Sequence, residues 1–373
     1  MKMRDSGKNI RIIISGGGTG GHLFPAISIA NALKRLEPTA EILFVGAEGR
    51  MEMQKVPEAG YDIEALPVAG FIRSLSPKNI NVAAKLFRSM MKARKIVRRF
   101  APDVVVGVGG YASGPVLKQA QRMNIPTLIQ EQNSYAGVTN KLLAKNAARI
   151  CVAYDGMEKY FPKGKIIKTG NPVRHTFENL DALRSEALEF FNLSSSKPVI
   201  LVLGGSLGAG TVNSSIGGGI GLTEEAGVQV IWQTGSHYYD RMREQTEAAG
   251  AQNIRVMGFI NRMDMAYAAA DVIISRAGAG TISELTLVGK PVILVPSPNV
   301  AEDHQTHNAM ALVNRNAALL VTDTEATSKL VSTALTLVGD TVRCASLSEN
   351  IHRMADPNAD EVIAQEVLKL VPR

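Results

Sequence analysis

The 373-residue sequence predicts an α/β fold built from two doubly wound parallel sheets. In both halves, apolar runs of strand length alternate with helical patterns. The halves also open alike, with an apolar run, a glycine-rich turn and a helix: IRIIISGGGTGGH (10–22) in the first and PVILVLGGSLGAG (198–210) in the second. The length itself exceeds one ordinary core and suggests two domains of ~150–200 residues each.

Ile10, Ile12, Ile13 and Ile14 are too densely apolar for a half-exposed strand and predict a central one covered on both faces. The helix that follows is set by Ala26, Ile29, Ala30, Leu33 and Leu36, which share one side. Between them, Gly16, Gly17, Gly18, Gly20 and Gly21 allow a sharp turn whose amides point outward at a helix N-terminus, the arrangement of a phosphate site. Gly16, Gly18 and Gly21 also satisfy GxGxxG, and Glu48 follows the next apolar run. A nicotinamide-dependent dehydrogenase is therefore a rival reading, although His22 directly after the last glycine suits it poorly.

Composition narrows the choices. Hydrophobic content of 45% and charged content of 20% are ordinary for globular α/β chains. Only 5% of residues are aromatic, so a stacking surface for nucleic acid is not expected. The net charge of +7 suits an anionic surface or a phosphorylated substrate. Cys151 and Cys344 have no CxxC partner, which argues against a zinc site or a disulfide scaffold; Cys151 reads as a buried strand residue. No run reaches the ~18 apolar residues of a membrane span, and 10–14 is too short for a signal-peptide core, so a cytoplasmic protein is expected.

Further strands are expected at 42–45, 63–66, 104–106, 127–129, 150–153 and 166–169 in the first half. In such sheets ligands gather at the carboxyl ends of strands. Those ends carry GVGGYASGP (107–115) and QEQNSYAG (130–137), where Glu131 and Asn133 either reach a ligand or serve to cap a helix. Over 82–100, Val82, Leu86, Met90, Ala93, Val97 and Phe100 form the stripe expected to pack on the sheet. The other side holds seven cations and no acid, with Phe87 and Met91 set among Arg94 and Arg98. Apolar side chains within a basic face mark a helix that rests on anionic lipid, and Phe71, Ile72 and Leu75 nearby would extend the contact.

TGNPVRHTF (169–177) reads as the hinge between a first domain of 1–170 and a second of 171–357. In the second half, strands are expected at 198–203, 228–232, 254–257, 272–275, 292–295 and 318–321. Glu284 lies near the start of the helix after the fourth of these, placed to accept from a ribose diol or simply to complement the helix dipole. The polar loop 296–309 carries Asp303, His304, Gln305, His307 and Asn308, which suit a sugar better than a metal. Residues 361–370 read as a short terminal helix.

Seven segments in order, GGGTGGH (16–22), GVGGYASGP (107–115), EQN (131–133), TGNPVR (169–174), GGSLGA (204–209), GAGTISE (278–284) and DHQTHNA (303–309), resemble the MurG family. These are bacterial peptidoglycan N-acetylglucosaminyltransferases. The resemblance implies a GT-B fold, two Rossmann-like domains facing each other across a cleft, with the C-terminal helix (about 358–373) returning to the first domain. It implies inverting transfer of N-acetylglucosamine from UDP-N-acetylglucosamine to undecaprenyl-pyrophosphoryl-N-acetylmuramoyl-pentapeptide (lipid I) at the cytoplasmic face of the cell membrane, with other cell-wall or division proteins as partners.

Carried over by motif, Thr19, Gly20, Gly21 and Asn133 would lie near the donor sugar, and Arg174 and Ser206 would serve the nucleotide. Ile260 would hold the uracil through its backbone. Ala279, Gly280, Thr281, Ile282, Ser283 and Glu284 would hold phosphate and ribose, with Glu284 on the ribose, and Gln305 would bind sugar hydroxyls. Where some family members have two glutamines, this chain has His304 before Gln305. The chain has no strict Asp-x-Asp, so no metal or cofactor is expected; glycine turns at helix N-termini can stabilise the departing UDP. His22 is the first candidate for the base that takes the acceptor proton, and Glu131 the second; His22 has the alternative role of orienting the acceptor diphosphate. A GT-B-like UDP-N-acetylglucosamine epimerase, the dehydrogenase and a non-catalytic nucleotide-sugar sensor stay open at this point.

Overall fold

A computed structural model describes the backbone of residues 9–68, 78–173, 177, 179–205 and 207–372, and their side chains apart from those of 78–84 and 301. The chain divides into two compact units, Met1–Val173 with Asp356–Arg373, and Arg174–Ala355.

The first unit holds β1 (Arg11–Ser15), β2 (Glu41–Ala47), β3 (Asp62–Leu66), β4 (Val104–Gly107), β5 (Thr127–Glu131), β6 (Arg149–Val152) and β7 (Ile166–Lys168). They form one parallel sheet in the order β3-β2-β1-β4-β5-β6-β7. Ile12, Ile13 and Ile14 of β1 are fully buried because both faces of the strand are covered. Ile13 packs with Ala93, Val97 and Val116, while Ile12 and Ile14 pack with Leu23, Ile29, Ile363 and Val367. The strand order reverses between β1 and β4, where Ser15 pairs with Gly107. This is the switch point at which such sheets bind ligands. Two of the glycine-rich turns leave the sheet there side by side.

Helices α1 (Gly20–Leu36), α2 (Glu52–Glu58), α3 (Lys78–Phe100), α4 (Ser113–Arg122) and α5 (Val138–Ala144) follow their strands. The α1 stripe packs as its spacing implies, except that Leu36 on the last turn is exposed. In α3 the packed residues are Ser89, Ala93, Ile96 and Val97, a stripe displaced from the expected one. Leu86 is 42% exposed and Met90 half-buried, because they line a surface groove with the end of α4 instead of meeting the sheet. The terminal helix Ala359–Lys369 buries Ile363, Ala364 and Val367 in this unit, and its buried Asp360 pairs with Arg35 on α1 at 2.7 Å.

The second unit repeats the plan with β8 (Val199–Leu203), β9 (Gln229–Gln233), β10 (Ile254–Met257), β11 (Val272–Ser275), β12 (Val292–Leu294) and β13 (Leu319–Leu320). All pairings are parallel, in the order β10-β9-β8-β11-β12-β13. Its switch point lies between β8 and β11, where Leu203 pairs with Ser275, so the turn at 204–209 and the helix start at 278–281 are neighbours. No single helix among the described residues is long and apolar enough to cross a membrane. The bent pair Ala326–Gly339 and Thr341–His352 places Leu330, Leu337 and Leu347 in the core of this unit.

Candidate active site

In the first unit the turn after β1 has φ of 138° at Gly17 and 87° at Gly18, values open to glycine. Its amides do not all face outward as expected. The Gly18 N–H donates to both carboxylate oxygens of Glu52, each at 3.0 Å, and the Ala47 N–H donates to Glu52 Oε1 at 2.9 Å. Glu52 is fully buried, and sequence reasoning missed it because one acid in GRMEMQKV looks like an ordinary helix start. Helix α1 then begins at Gly20 behind Thr19, whose exposed side chain makes no cap bond.

The dehydrogenase fingerprint fails on physical grounds. Its third glycine exists to let the helix pack closely on the strand. Gly21 is exposed, and a Cβ there would meet nothing nearer than Thr19 Oγ1 at 3.7 Å. Glu48, the expected ribose acid of that reading, is also exposed.

His22 stands on the first turn of α1, half-buried, with Nδ1 3.1 Å from Gln132 Oε1. Gln132 is itself buried and donates through Nε2 to Val108 O at 2.8 Å and to Gln130 Oε1. Gln130 Nε2 donates to Asn171 Oδ1, and Asn171 Nδ2 returns to Gln132 O, both at 2.9 Å. A chain of buried amides therefore runs from the TGNPVR segment to His22. Neither Gln132 nor Asn171 was singled out from sequence, since amides carry no signature until their partners are known.

Glu131, the second candidate base, ends β5 and is 2% exposed. It accepts from Asn133 N at 3.1 Å, Asn133 Nδ2 at 3.4 Å, Gly137 N at 3.0 Å and Asn140 Nδ2 at 2.9 Å. Those donors fold the 131–137 turn around the carboxylate, which is the capping role open to this segment.

In the second unit, Arg174 and Ser206 lie outside the described residues, as do Phe71, Ile72 and Leu75 in the first. Helix Ala279–Val288 starts after extended Gly278, so the amides of Ala279, Gly280 and Thr281 form its first turn, where helices lack internal acceptors. Ile282 N closes the turn on Gly278 O at 2.9 Å, and Ser283 Oγ donates to Ala279 O at 3.0 Å. Half-buried Glu284 accepts through Oε2 from Tyr267 O–H at 3.2 Å. Burial, together with the Glu284 charge, holds the Tyr267 hydroxyl well above the usual phenol range, so it stays a donor. Tyr267 also meets Phe177 edge-on, with centroids 5.2 Å apart. It escaped the sequence reading because it sits in an apolar helical run, MDMAYAA.

Two expected contacts are modified. The Ile260 N–H already donates to Gln233 Oε1 at 3.2 Å, so a base held through this backbone would use its carbonyl. Gln305 lies not in a loop but in helix His304–Val313, and its Oε1 bridges Ala277 N at 3.2 Å and Ser297 N at 2.8 Å. The helix starts early because Glu302 and Asp303, at φ of 58° and 49°, turn the chain in left-handed geometry. Non-glycine residues held so cost on the order of 1–3 kcal/mol each, and such strain collects at functional ends of folds. Arg276 ties this edge together, donating to Asp323 Oδ1 and to the carbonyls of Val295 and Pro296.

Residues 12–152 match the Glycosyltransferase family 28 N-terminal domain and residues 199–363 the Glycosyltransferase family 28 C-terminal domain. The crystal structure of Acinetobacter baumannii MurG superposes with a TM-score of 0.79 at 27% identity, covering 96% of this chain and 99% of that one. The chain is 60% identical over 366 residues, 98% of its length and 96% of the relative's, to the UDP-N-acetylglucosamine–N-acetylmuramyl-(pentapeptide) pyrophosphoryl-undecaprenol N-acetylglucosamine transferase of Bacteroides fragilis. The chain belongs to the MurG family. The like-named Porphyromonas gingivalis transferase is 56% identical over 372 residues, 100% of this chain and 98% of that one. This MurG-family chain is thus a hexosyltransferase of GT-B fold. The UDP-GlcNAc 2-epimerase of Neisseria meningitidis bound to UDP-GlcNAc superposes with a TM-score of 0.68 at 14% identity, covering 97% of this chain and 100% of that one, and shares the fold alone.

Proposed function

We propose that this enzyme transfers N-acetylglucosamine from UDP-N-acetylglucosamine to the muramyl sugar of lipid I, giving lipid II. The observation that carries the reading is 60% identity, over 98% of the chain, to a transferase named for that reaction. The epimerase alternative is not favoured, because its likeness stops at the fold.

The second unit holds the donor. Amides of Ala279, Gly280 and Thr281 receive a phosphate, Ile282 and Ser283 complete that segment, and Glu284 accepts from the ribose hydroxyls. Arg174 and Ser206 assist the diphosphate, Ile260 meets the uracil, and Gln305 offers its Nε2 to the sugar while its Oε1 holds two loops together. The first unit supplies Thr19, Gly20, Gly21 and Asn133 near the sugar.

In the reaction an acceptor hydroxyl oxygen attacks the anomeric carbon and the bond from that carbon to UDP breaks. Its electron pair goes to the β-phosphate, and helix-terminal amides stabilise the developing charge. The hydroxyl proton passes to His22 Nε2. His22 is favoured over Glu131 as base because Glu131 is buried and engaged by four donors.

Lipid I does not leave the bilayer, so the enzyme works as a peripheral protein on the cytoplasmic membrane face. Phe87 and Met91 are 68% and 52% exposed and line a groove of about 720 Å³ with Arg94, Arg98 and Arg122. This is the side we assign to anionic lipid. The deciding experiment is transfer of radiolabelled sugar to a short-chain analogue of lipid I. Epimerised donor with no labelled disaccharide would overturn the reading.

A further inference from the structure

Successive amides of a turn with positive φ make a concavity that in many proteins receives a phosphate. At Gly17–Gly18 that concavity is already filled from within. Both Glu52 oxygens act as acceptors, Oε1 from Gly18 N and Ala47 N and Oε2 from Gly18 N again. The surrounding chain is shaped to admit this side chain. A Cβ on Gly17 would lie 2.3 Å from Glu52 Oε1, and one on Gly46 2.6 Å from Glu52 Cγ. The turn in its Glu52-held form then meets its neighbour at the switch point, where a Cβ on Gly110 would lie 2.3 Å from Gly17 O. A Cβ on Gly109 would strike the His22 ring at 2.9 Å. The carboxylate, the two turns and His22 are consecutive layers of one packed stack.

We infer that Glu52 is an internal anion that stands where a ligand phosphate would otherwise sit. It closes the Gly17–Gly18 concavity to phosphate and sets the turn in place before substrate arrives. The second unit, whose Ala279–Thr281 amides hold no such internal carboxylate among the described contacts, is left as the phosphate-binding half. Glu52 is thus a positioning and specificity-determining residue for the reaction proposed above, on which this inference rests. It touches no reacting atom.

The test uses the full-length chain, a short-chain lipid I analogue, sodium formate and inorganic phosphate. Glu52→Ala empties the concavity, so turnover at saturating acceptor should fall about tenfold or more, the scale of misplacing a site by a fraction of its geometry. Formate should restore several-fold of the lost turnover, and phosphate should newly compete with the acceptor. Glu52→Gln fills the same space but sets an N–H2 against amide donors, so it should lose turnover and gain nothing from formate. Donor affinity, measured by calorimetry, should match the parent in both variants and reports that the second unit is folded. Full activity in Glu52→Gln overturns the inference. So does a Glu52→Ala variant with intact donor binding that formate leaves unchanged, because a merely structural loss is not repaired by a small carboxylate. If Glu52→Ala does not fold, Glu52→Gln decides alone through its turnover and its donor affinity. Failure of the transferase reading shows separately, as absence of transfer by the parent.

Discussion

His22 Nδ1 and Gln132 Oε1 face each other at 3.1 Å, and the rest of the hydrogen-bond chain dictates which of them donates. Gln132 Nε2 points at Val108 O, an acceptor with no proton to give, so the Gln132 amide cannot be flipped without setting oxygen against oxygen. Its Oε1 must then accept, and Nδ1 of His22 carries the proton. In the neutral ring the lone pair is left on Nε2, the form a general base requires.

From this it follows that His22→Ala should lower turnover by ~10²–10⁴-fold with little change in donor affinity. Activity of the parent should fall on the acid side, where a histidine gains its proton, and the variant should lack that limb. A stopped assay at saturating acceptor checks both. Near-normal turnover would leave His22 only the orienting role.

Gln132→Leu removes the acceptor and keeps much of the volume. Released from its tautomer, His22 should work on the order of 10–100-fold more slowly, with the acceptor KM changed far less than kcat. Equal losses in kcat/KM for acceptor and in thermal stability, with kcat retained, would assign Gln132 to packing.

Glu284→Ala should weaken UDP-N-acetylglucosamine binding by about 1–3 kcal/mol, since ribose hydroxyls would lose a charged acceptor. Tyr267→Phe keeps the ring in its pocket and deletes the bond to Glu284, so a loss of about 0.5–1.5 kcal/mol is expected. If Tyr267 acts by aiming Glu284, the double variant should lose no more than Glu284→Ala alone. Calorimetry of the four proteins gives the cycle, and additive losses would separate the two residues.

The difference between what the sequence disclosed and what it hid has a physical basis. Buried parallel strands such as Ile12–Ile14 announce themselves because both faces must be apolar, so the sheets and their glycine turns were legible. The polar network was not. Glu52, Gln132, Asn171 and Tyr267 matter through partners 30 to more than 100 positions away or through burial, as His22 and Gln132 do at a separation of 110. The α3 stripe was misplaced for a related reason. Periodicity locates a face, but how far along the helix that face meets the sheet depends on what lies opposite, and Leu86 lies over a groove.

The terminal helix offers a stability test. Ile363 is fully buried against the β1 face with Ile12 and Leu23, so Ile363→Ala should cost about 2–5 kcal/mol in denaturant unfolding. Donor affinity should be unaffected, because Ile363 packs in the first unit and the donor residues lie in the second. A loss below 1 kcal/mol would mean that the helix adds little to that core.

The last prediction concerns the membrane. A helix whose cations include Arg94 and Arg98, with Phe87 and Met91 exposed between them, combines two independent attractions to an anionic bilayer. Each cation near such a surface contributes on the order of 1 kcal/mol, and each buried apolar side chain adds up to about 1.5–3 kcal/mol. The first term is screened within a Debye length and the second is not. Binding to vesicles rich in anionic lipid should therefore weaken with salt but keep a residue that salt does not remove. Replacing Arg94 and Arg98 by Gln should abolish the salt-dependent part, and replacing Phe87 and Met91 by Ser the remainder. Both pairs together should reduce activity on membrane-embedded acceptor while leaving transfer to a soluble short-chain acceptor close to normal, since none of the four belongs to a donor or base contact. Equal sedimentation of parent and fourfold variant with vesicles across a range of anionic lipid content would make this groove a solvated face and place the docking surface elsewhere.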